Sequence, residues 1–490
     1  MSLIQVNNLS FAYDNGFKPI FDNVSFQLDS AWKLGLIGRN GKGKTTFLNL
    51  LLNKYSYEGQ IIHTVNFQYF PVTIQNEMLN TLEVIKDIYP DYQLWELQKQ
   101  LSLLQVDQQV LSQPYNTLSG GQQTKIQLAV LFLKPHNFLL IDEPTNHLDL
   151  EGRKLLSKYL NQKSGYIIVS HDRNFLDGCI DHVLAINRMN IEVSKGNFSV
   201  WYNNKINKDK LEIQQNEHLK KDIKRLEKSA KQKENWADAV EKTKNGTRNS
   251  GLRPNRGRIG HKAAKMMSRA KNIEARKEKE ISTKSTLMKN VEVKEDLELY
   301  PLAYPHRDLI TFKKVSFKYD KEVFHELSFE VNNGDRLALY GPNGCGKSTV
   351  IKLILQDMNH SGTIKKGSNL SISYLPQVTP FLQGSLSNYA SEHHLERSRF
   401  QAILFKLDFS RDKLEKNLED FSAGEQRKVL IATSLSSKAH LFIWDEPLNY
   451  LDIYARIQIE ELLLKFKPTL IFVEHDEAFG HKVATKIINL

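Results

Sequence analysis

The feature that most restricts how this chain can fold is an internal repeat. Residues 33–46 read KLGLIGRNGKGKTT and residues 336–349 read RLALYGPNGCGKST. Each is a short apolar run, a glycine-rich turn, then Gly-Lys followed by a hydroxyl residue. Further on, LSGGQQ (118–123) answers to FSAGEQ (421–426), FLLIDEP (138–144) to LFIWDEP (441–447), and VSHD (169–172) to VEHD (473–476). The offset is 303 residues for Lys44/Lys347, Ser119/Ser422 and Asp142/Asp445, and 304 for His171/His475. A spacing kept over four landmarks identifies a tandem duplication. Strand-like runs alternate with helical patterns in each copy, which predicts an α/β fold with a largely parallel central sheet.

Between the copies the sequence changes character. Residues 201–290 carry 25 Lys or Arg against 11 Asp or Glu, so this stretch alone exceeds the net charge of +11 and leaves the remainder slightly acidic. Lys242–Lys271 holds ten Lys or Arg and no acid, and its first half is broken by Gly246, Gly251, Pro254, Gly257 and Gly260. A polyanionic partner is expected to meet the middle of the chain. Leu219, Ile223, Leu226, Ala230, Lys233, Ala237 and Val240 step by four and three, as do Ile259, Ala263, Met266, Ala270 and Ile273. Two such seams around a glycine-rich tip predict an antiparallel helical hairpin. Its first arm, from about Asn203 to Lys244, would reach roughly 60 Å at about 1.5 Å per residue. The competing reading is a solvated linker, which charge runs often are. Tyr300–Pro305 reads as an extended connector. The expected domains are therefore 1–200, a basic linker 201–300 with its tip near 245–258, and 301–490.

G-x-x-x-x-G-K-[ST] occurs at Gly38–Thr45 and Gly341–Ser348. Backbone N–H groups of such a loop, at a helix N-terminus, cradle phosphates. Lys44 and Lys347 would neutralise β/γ oxygens, and Thr45 and Ser348 would ligate Mg²⁺. Asp142 and Asp445 close apolar strands and suit the Mg²⁺ shell, while Glu143 and Glu446 are placed to polarise an attacking water. His171 and His475 follow another apolar strand in both copies, which points to γ-phosphate contacts. No other His shows a convincing metal spacing.

The remaining composition sets bounds. Two cysteines, Cys179 and Cys345, cannot build a disulfide framework, and a reducing, cytoplasmic setting is expected. The first residues run directly into strand-like alternation without a signal-peptide pattern. No apolar stretch is long enough to span a bilayer.

With LSGGQ the chain resembles the ATP-binding cassette superfamily, in which the signature of one domain closes over the phosphate loop of the other. The resemblance implies two composite ATP sites formed by an intramolecular cassette dimer, with the chain a monomer. The first would join Gly38, Asn40, Gly41, Gly43, Lys44, Thr45 and Thr46 to Ser422, Ala423, Gly424 and Glu425. The second would join Gly341, Asn343, Gly344, Gly346, Lys347, Ser348 and Thr349 to Ser119, Gly120, Gly121 and Gln122. Tyr13 and Tyr319 sit where the family stacks adenine, and are equally readable as ordinary strand aromatics. Gln377, in YLPQ, matches the family's glutamine that contacts nucleotide and Mg²⁺; the first copy has Val72 there.

The chain is more closely similar to the ABC-F subfamily, through GNFSVWY (196–202) at the start of the linker and EPTNHLDL (143–150). The Lys-to-signature-Ser spacing is 75 residues in both copies, leaving no room for the arm that many members insert in the first cassette, and little sequence follows His475. That form resembles the Lsa/Vga-type antibiotic-resistance branch. The likeness implies binding to the bacterial 70S ribosome at the tRNA exit site, with the linker directed toward P-site tRNA and 23S rRNA of the peptidyl-transferase centre. It further implies protection against lincosamides, streptogramin A and pleuromutilins. Lys244, Arg248, Arg253, Arg256 and Arg258 are the expected RNA contacts. Two other readings stand beside it: a housekeeping translation factor of the same subfamily, and the energising subunit of a drug exporter. Phe421, Ala423 and Glu425 in the second signature, Leu448-Asn449-Tyr450 after the second acidic pair, and Val72 predict two unequal sites.

Overall fold

The computed structural model describes residues 2–13, 19–146, 148–187, 191–242, 261, 268, 297–319, 322–342, 344–356, 358–380 and 382–490. The chain divides into two compact units, one formed by Met1–Trp201 with Glu295–Leu490, the other by Tyr202–Lys294. The first unit thus holds both copies of the repeat.

Each copy contains two sheets. In the first, β1 (Leu3–Phe11), β2 (Phe21–Asp29) and β4 (Glu58–Ile62) form an antiparallel sheet in the order β2-β1-β4. The others, β3 (Lys33–Gly38), β5 (Asn66–Phe70), β6 (Asn137–Asp142), β7 (Tyr166–Val169), β8 (His182–Ile186) and β9 (Ile191–Lys195), form a sheet in the order β5-β6-β7-β3-β8-β9. It is parallel except for the β8–β9 pair. The second copy repeats the plan. Strands β10 (Asp308–Lys318), β11 (Glu322–Asn332) and β13 (Ser361–Lys366) make its antiparallel sheet. Strands β12 (Arg336–Tyr340), β14 (Ile372–Leu375), β15 (Leu441–Asp445), β16 (Leu470–Val473) and β17 (Lys486–Asn489) make a wholly parallel one, ordered β14-β15-β16-β12-β17. The parallel central sheet is the expected one; the separate antiparallel sheet in front of it is an addition to the sequence reading.

Central strands of a sheet covered on both faces carry continuous apolar runs. Every residue of β7 and β16 is buried, as are Phe138–Ile141 and Leu441–Asp445. This order matters for the site. Strands β6, β7 and β3 are neighbours, so their carboxyl ends bring Asp142, His171 and the loop before Lys44 together, although 127 residues separate Lys44 from His171 in sequence. Open parallel sheets bind ligands at this edge.

A helix runs from Phe198 to Lys242, 45 residues. It begins five residues before the expected Asn203 because its first turn is anchored. Phe198 and Trp201 are 2% and 5% exposed and pack ring to ring at 5.7 Å. Asp177, in the short helix Arg173–Cys179, accepts from the Ser199 backbone N–H at 2.8 Å and from its hydroxyl. The expected tip residues Lys244, Arg248, Arg253, Arg256 and Arg258 lie outside the described residues, as do all five residues of the second seam. Leu302, in the expected connector, donates its N–H to the Ala439 carbonyl at 2.8 Å. Among the described residues no helix is long and apolar enough to cross a membrane.

Candidate active sites

Each Gly-Lys turn follows a buried strand and opens a helix, Lys44–Leu51 or Lys347–Leu355. Gly43 and Gly346 begin these helices in the left-handed region, at φ 91° and 103°. A Cβ at either would meet a neighbouring side chain at 2.5 Å, Ile20 in one copy and Val323 in the other. Only glycine fits the backbone there. The two lysines fold back over their own loops. Lys44 Nζ donates to Gly38 O at 2.8 Å and Asn40 Oδ1 at 3.2 Å, and Lys347 Nζ to Gly341 O at 2.7 Å and Pro342 O at 2.9 Å. Burial holds the Lys44 ammonium below its ordinary pKa, against the pull of Asp452, Glu143 and Asp142. The ammonium therefore waits among carbonyls where a phosphate oxygen would be the stronger partner.

Two cavities contain these loops, and each takes residues from both copies. The first, about 470 Å³, is lined by Asn40, Gly41, Gly43, Lys44, Thr45 and Thr46 with Tyr13, Asp142, Glu143 and His171, and by Ser422, Ala423 and Gly424 of the second copy. The second, about 720 Å³, is lined by Gly344, Gly346, Lys347, Ser348 and Thr349 with Gln377, Glu446 and His475, and by Ser119, Gly120, Gly121 and Gln122 of the first copy. Both volumes suit a nucleotide. Asn40 stitches the copies together, its N–H donating to Asp452 Oδ2 at 3.0 Å and its side chain to Tyr450 O at 2.8 Å. Asn343 lies outside the described residues.

The signature residues occupy helix starts. Ser119 caps the helix Gly120–Leu131 and Ser422 caps Ala423–Ser436, each in a capping box closed by Gln122 or Glu425. Glu425 also pairs with Lys413. It closes the cap and the ion pair, while Ser422, Ala423 and Gly424 line the cavity. Tyr13 and Tyr319 are both exposed and pack edge-on against Phe11 and Phe317; Tyr13 also lines the first cavity and shares a hydrogen bond with Thr46 Oγ1 at 2.9 Å.

The acidic pairs carry the chemistry. Thr45 Oγ1 donates to Asp142 Oδ2 at 3.2 Å, and Ser348 Oγ to Asp445 Oδ2 at 3.1 Å. Burial and the Glu446 charge push the Asp445 carboxyl up to about 6, and its Oδ1 is buried without a hydrogen-bond partner among the described residues. A carboxylate left short of a partner beside a hydroxyl fits a divalent cation. Among the described residues no group of three or more His, Cys, Asp or Glu could hold a metal. One carboxylate and one hydroxyl per site suit Mg²⁺, which keeps waters and phosphate oxygens in its shell.

Glu143 and Glu446 both adopt φ 49°. A left-handed glutamate in the same place twice is the kind of strain that collects at functional sites. Glu143 Oε1 is 3.1 Å from His171 Nε2, and Glu446 Oε1 is 3.5 Å from His475 Nε2. Their electrostatics diverge. Burial and then the Asp142 charge push Glu143 up to about 8, against Lys44 and two arginines. Burial also raises Glu446, but hydrogen bonds from His475, Gln377 and Asn449 outweigh it and hold the carboxyl below its ordinary range. Gln377 Nε2 donates to Glu446 Oε1 at 2.8 Å. Val72 has no side-chain donor to offer; its backbone is instead bound by the Gln127 amide. Burial keeps His171 well below its usual pKa and hence neutral.

Some site residues carried no signal in the sequence. Tyr69 Oη donates to Asp142 Oδ2 at 3.0 Å. Arg427, fully buried, donates to the carbonyls of Pro376, Asp445 and Glu446, tying the second site's loops together; the first copy has Thr124 at that place. Arg153 and Arg456 each line the opposite copy's cavity, and their shared 303-residue offset could have marked them.

Phosphate loop, acidic pair, switch histidine and a facing signature, present twice, define a tandem-cassette ATPase. The family model described as ABC transporter matches residues 21–146 and 324–449, and the chain belongs to that family. It is 29% identical over 519 residues to the ATP-binding protein Uup of Buchnera aphidicola, covering 99% of this chain and 80% of that one. It is 26% identical over 488 residues to the ribosome protection protein VmlR of Bacillus subtilis, covering 98% and 85%. Both likenesses extend over nearly the whole of this chain. Among solved structures, the archaeal ribosome recycling factor aABCE1, in complex with the ribosomal stalk protein aP1, superposes with a TM-score of 0.61 at 18% identity, over 98% of this chain and 87% of that chain. That last likeness is one of fold.

Proposed function

We propose that this ATPase works on the bacterial 70S ribosome as a target-protection factor of the Lsa/Vga type. ATP bound in both cavities holds the cassettes of residues 1–200 and 301–490 together, and hydrolysis releases them. The basic linker, 201–300, is the part that meets RNA, with Lys244, Arg248, Arg253, Arg256 and Arg258 as phosphate contacts near P-site tRNA and 23S rRNA. Restoring that region displaces lincosamides, streptogramin A and pleuromutilins. The observation that carries this reading is the pair of shared cavities in a unit from which a 45-residue helix grows into the most basic part of the chain. The full-length likeness to a protein named for ribosome protection supports it.

Within each site, the phosphate loop and its lysine bind and orient the phosphates, and the facing helix start offers Ser119 or Ser422 with backbone N–H groups. Asp142 with Thr45, and Asp445 with Ser348 and Gln377, would hold Mg²⁺. Bound there, the ion would neutralise charge on the β/γ oxygens. Glu143 and Glu446 orient the attacking water, and His171 and His475 fix the glutamates and meet the terminal phosphate.

Combining Glu143→Gln with Glu446→Gln should cut turnover by at least ~100-fold and trap the protein on ribosomes when ATP is present. Cosedimentation reads the trap, and a membrane-free translation reaction with each drug reads protection. Binding that ignores ATP, or no binding at all, would overturn the proposal; protection seen only in intact cells would favour an exporter subunit.

A further inference from the structure

Arg456 has no role in the reading above, and its surroundings ask for one. It lies in the first turn of the helix Ile453–Phe466, is 8% exposed, and lines the first cavity beside Lys44, Glu143 and His171 of the other cassette. Its Nε donates to Leu451 O at 3.1 Å, which fixes the stem of the guanidinium. Its Nη1 is 3.8 Å from Asp476 Oδ2, too far for a hydrogen bond. Among the described residues, then, the two terminal nitrogens of a buried guanidinium have no hydrogen-bond partner. Asp476 has Arg173 at 3.9 Å as a second cation, so it does not depend on Arg456.

The matching arginine of the first copy is tied more closely to its own cassette. Arg153 Nε donates to Leu148 O at 3.0 Å, and Nη1 donates to Asp172 Oδ2 at 3.1 Å. Arg153 lines the second cavity but commits one of its two terminal nitrogens to Asp172 of its own cassette. Asp476, the ion-pair partner of Arg456 at 3.8 Å, leaves both of its terminal nitrogens without a hydrogen bond, and a guanidinium fork matches phosphate oxygens well. We propose that Arg456 acts in trans on the first site, contacting the terminal phosphate of ATP held by Lys44 and Thr45, and that the second site has no equally free counterpart. Hydrolysis at the first site then depends on a side chain that only the closed second cassette supplies. The inference rests on the ATPase activity alone and does not depend on the ribosome.

The competing possibility is that Arg456 merely braces its own cassette through Asp476. A nucleotide with and without the third phosphate separates the two. A Lys347→Ala background confines tight binding to the first site, where AMPPNP and ADP affinities are measured by competition with a fluorescent nucleotide. Arg456→Gln should weaken AMPPNP about tenfold and ADP less than about twofold. Arg456→Lys, which keeps the charge without the fork, should fall between Gln and the parent, and serves if Arg456→Gln does not fold. Equal weakening of both nucleotides, or an unchanged ratio in protein with the parent's melting temperature, would overturn the proposal. In a Glu446→Gln background, remaining turnover should fall ~100-fold on Arg456→Gln with KM changed far less; a matched loss in the Glu143→Gln background would count against it.

Discussion

At the scale of single residues, the two copies solve the same problem with different chemistry. Where the first copy joins its loops through hydroxyls, Thr145 to Ser170 at 3.1 Å, the second uses a buried carboxylate. Glu474 is 4% exposed and accepts from the backbone N–H groups of Leu448 and His475, both at 2.8 Å. Burial, which Asp476 reinforces and Arg456 opposes, raises its pKa above the ordinary 4.5. Between the unfolded and folded pKa values the folded chain holds a proton that the unfolded chain has lost. Glu474 therefore contributes most to stability below 4.5 and progressively less as pH rises through its folded pKa. Glu474→Gln removes that titration, so the variant should gain on the parent in midpoint temperature as pH rises, with a nearly constant gap as the result that excludes it. The phosphate loops and acidic pairs were legible in the sequence because their chemistry fixes residue type and spacing together. Glu474, Arg427 and Tyr69 were not, because their partners are set by how strands and loops meet in space, and no local pattern records that.

At the scale of elements, what the sequence made legible follows its periodicity. The buried parallel strands announce themselves as apolar runs, and the long helix by its four-three steps. Its true start was hidden because Phe198 and Trp201 face the cassette and are spaced for that contact, not for the seam. Those two rings, with the Asp177 bonds to Ser199, make a root for the helix. Trp201→Ala should cost ~3–5 kcal/mol in chemical denaturation of the parent fold, and amide exchange should quicken first around residues 198–201. Unaltered exchange there would show that the helix is held by something other than this root.

At the scale of the molecule, the contacts between cassettes are of unequal worth. Arg173 Nη2 meets Glu460 Oε2 at 2.6 Å with both side chains buried, and Asp476 lies beside them. Lys154 pairs with Glu477 at the surface, where its side chain is 56% exposed. Arg173→Ala takes the buried cation from Glu460 and one of two cations from Asp476, leaving Lys482 on the first and Arg456 on the second, and should cost about 3 kcal/mol. Lys154→Ala should cost less than about 1 kcal/mol. Thermal unfolding of the two variants side by side tests the ranking, and equal losses would reverse it. The root of the long helix has a mechanical corollary as well. One short segment, Arg173–Cys179, starts two residues after His171 and carries the Asp177 anchor. A rod of 45 residues is roughly 67 Å long at about 1.5 Å per residue. On that length a tilt of about five degrees at the base corresponds to about 6 Å at the far end, so small angles at the root are large distances along the rod.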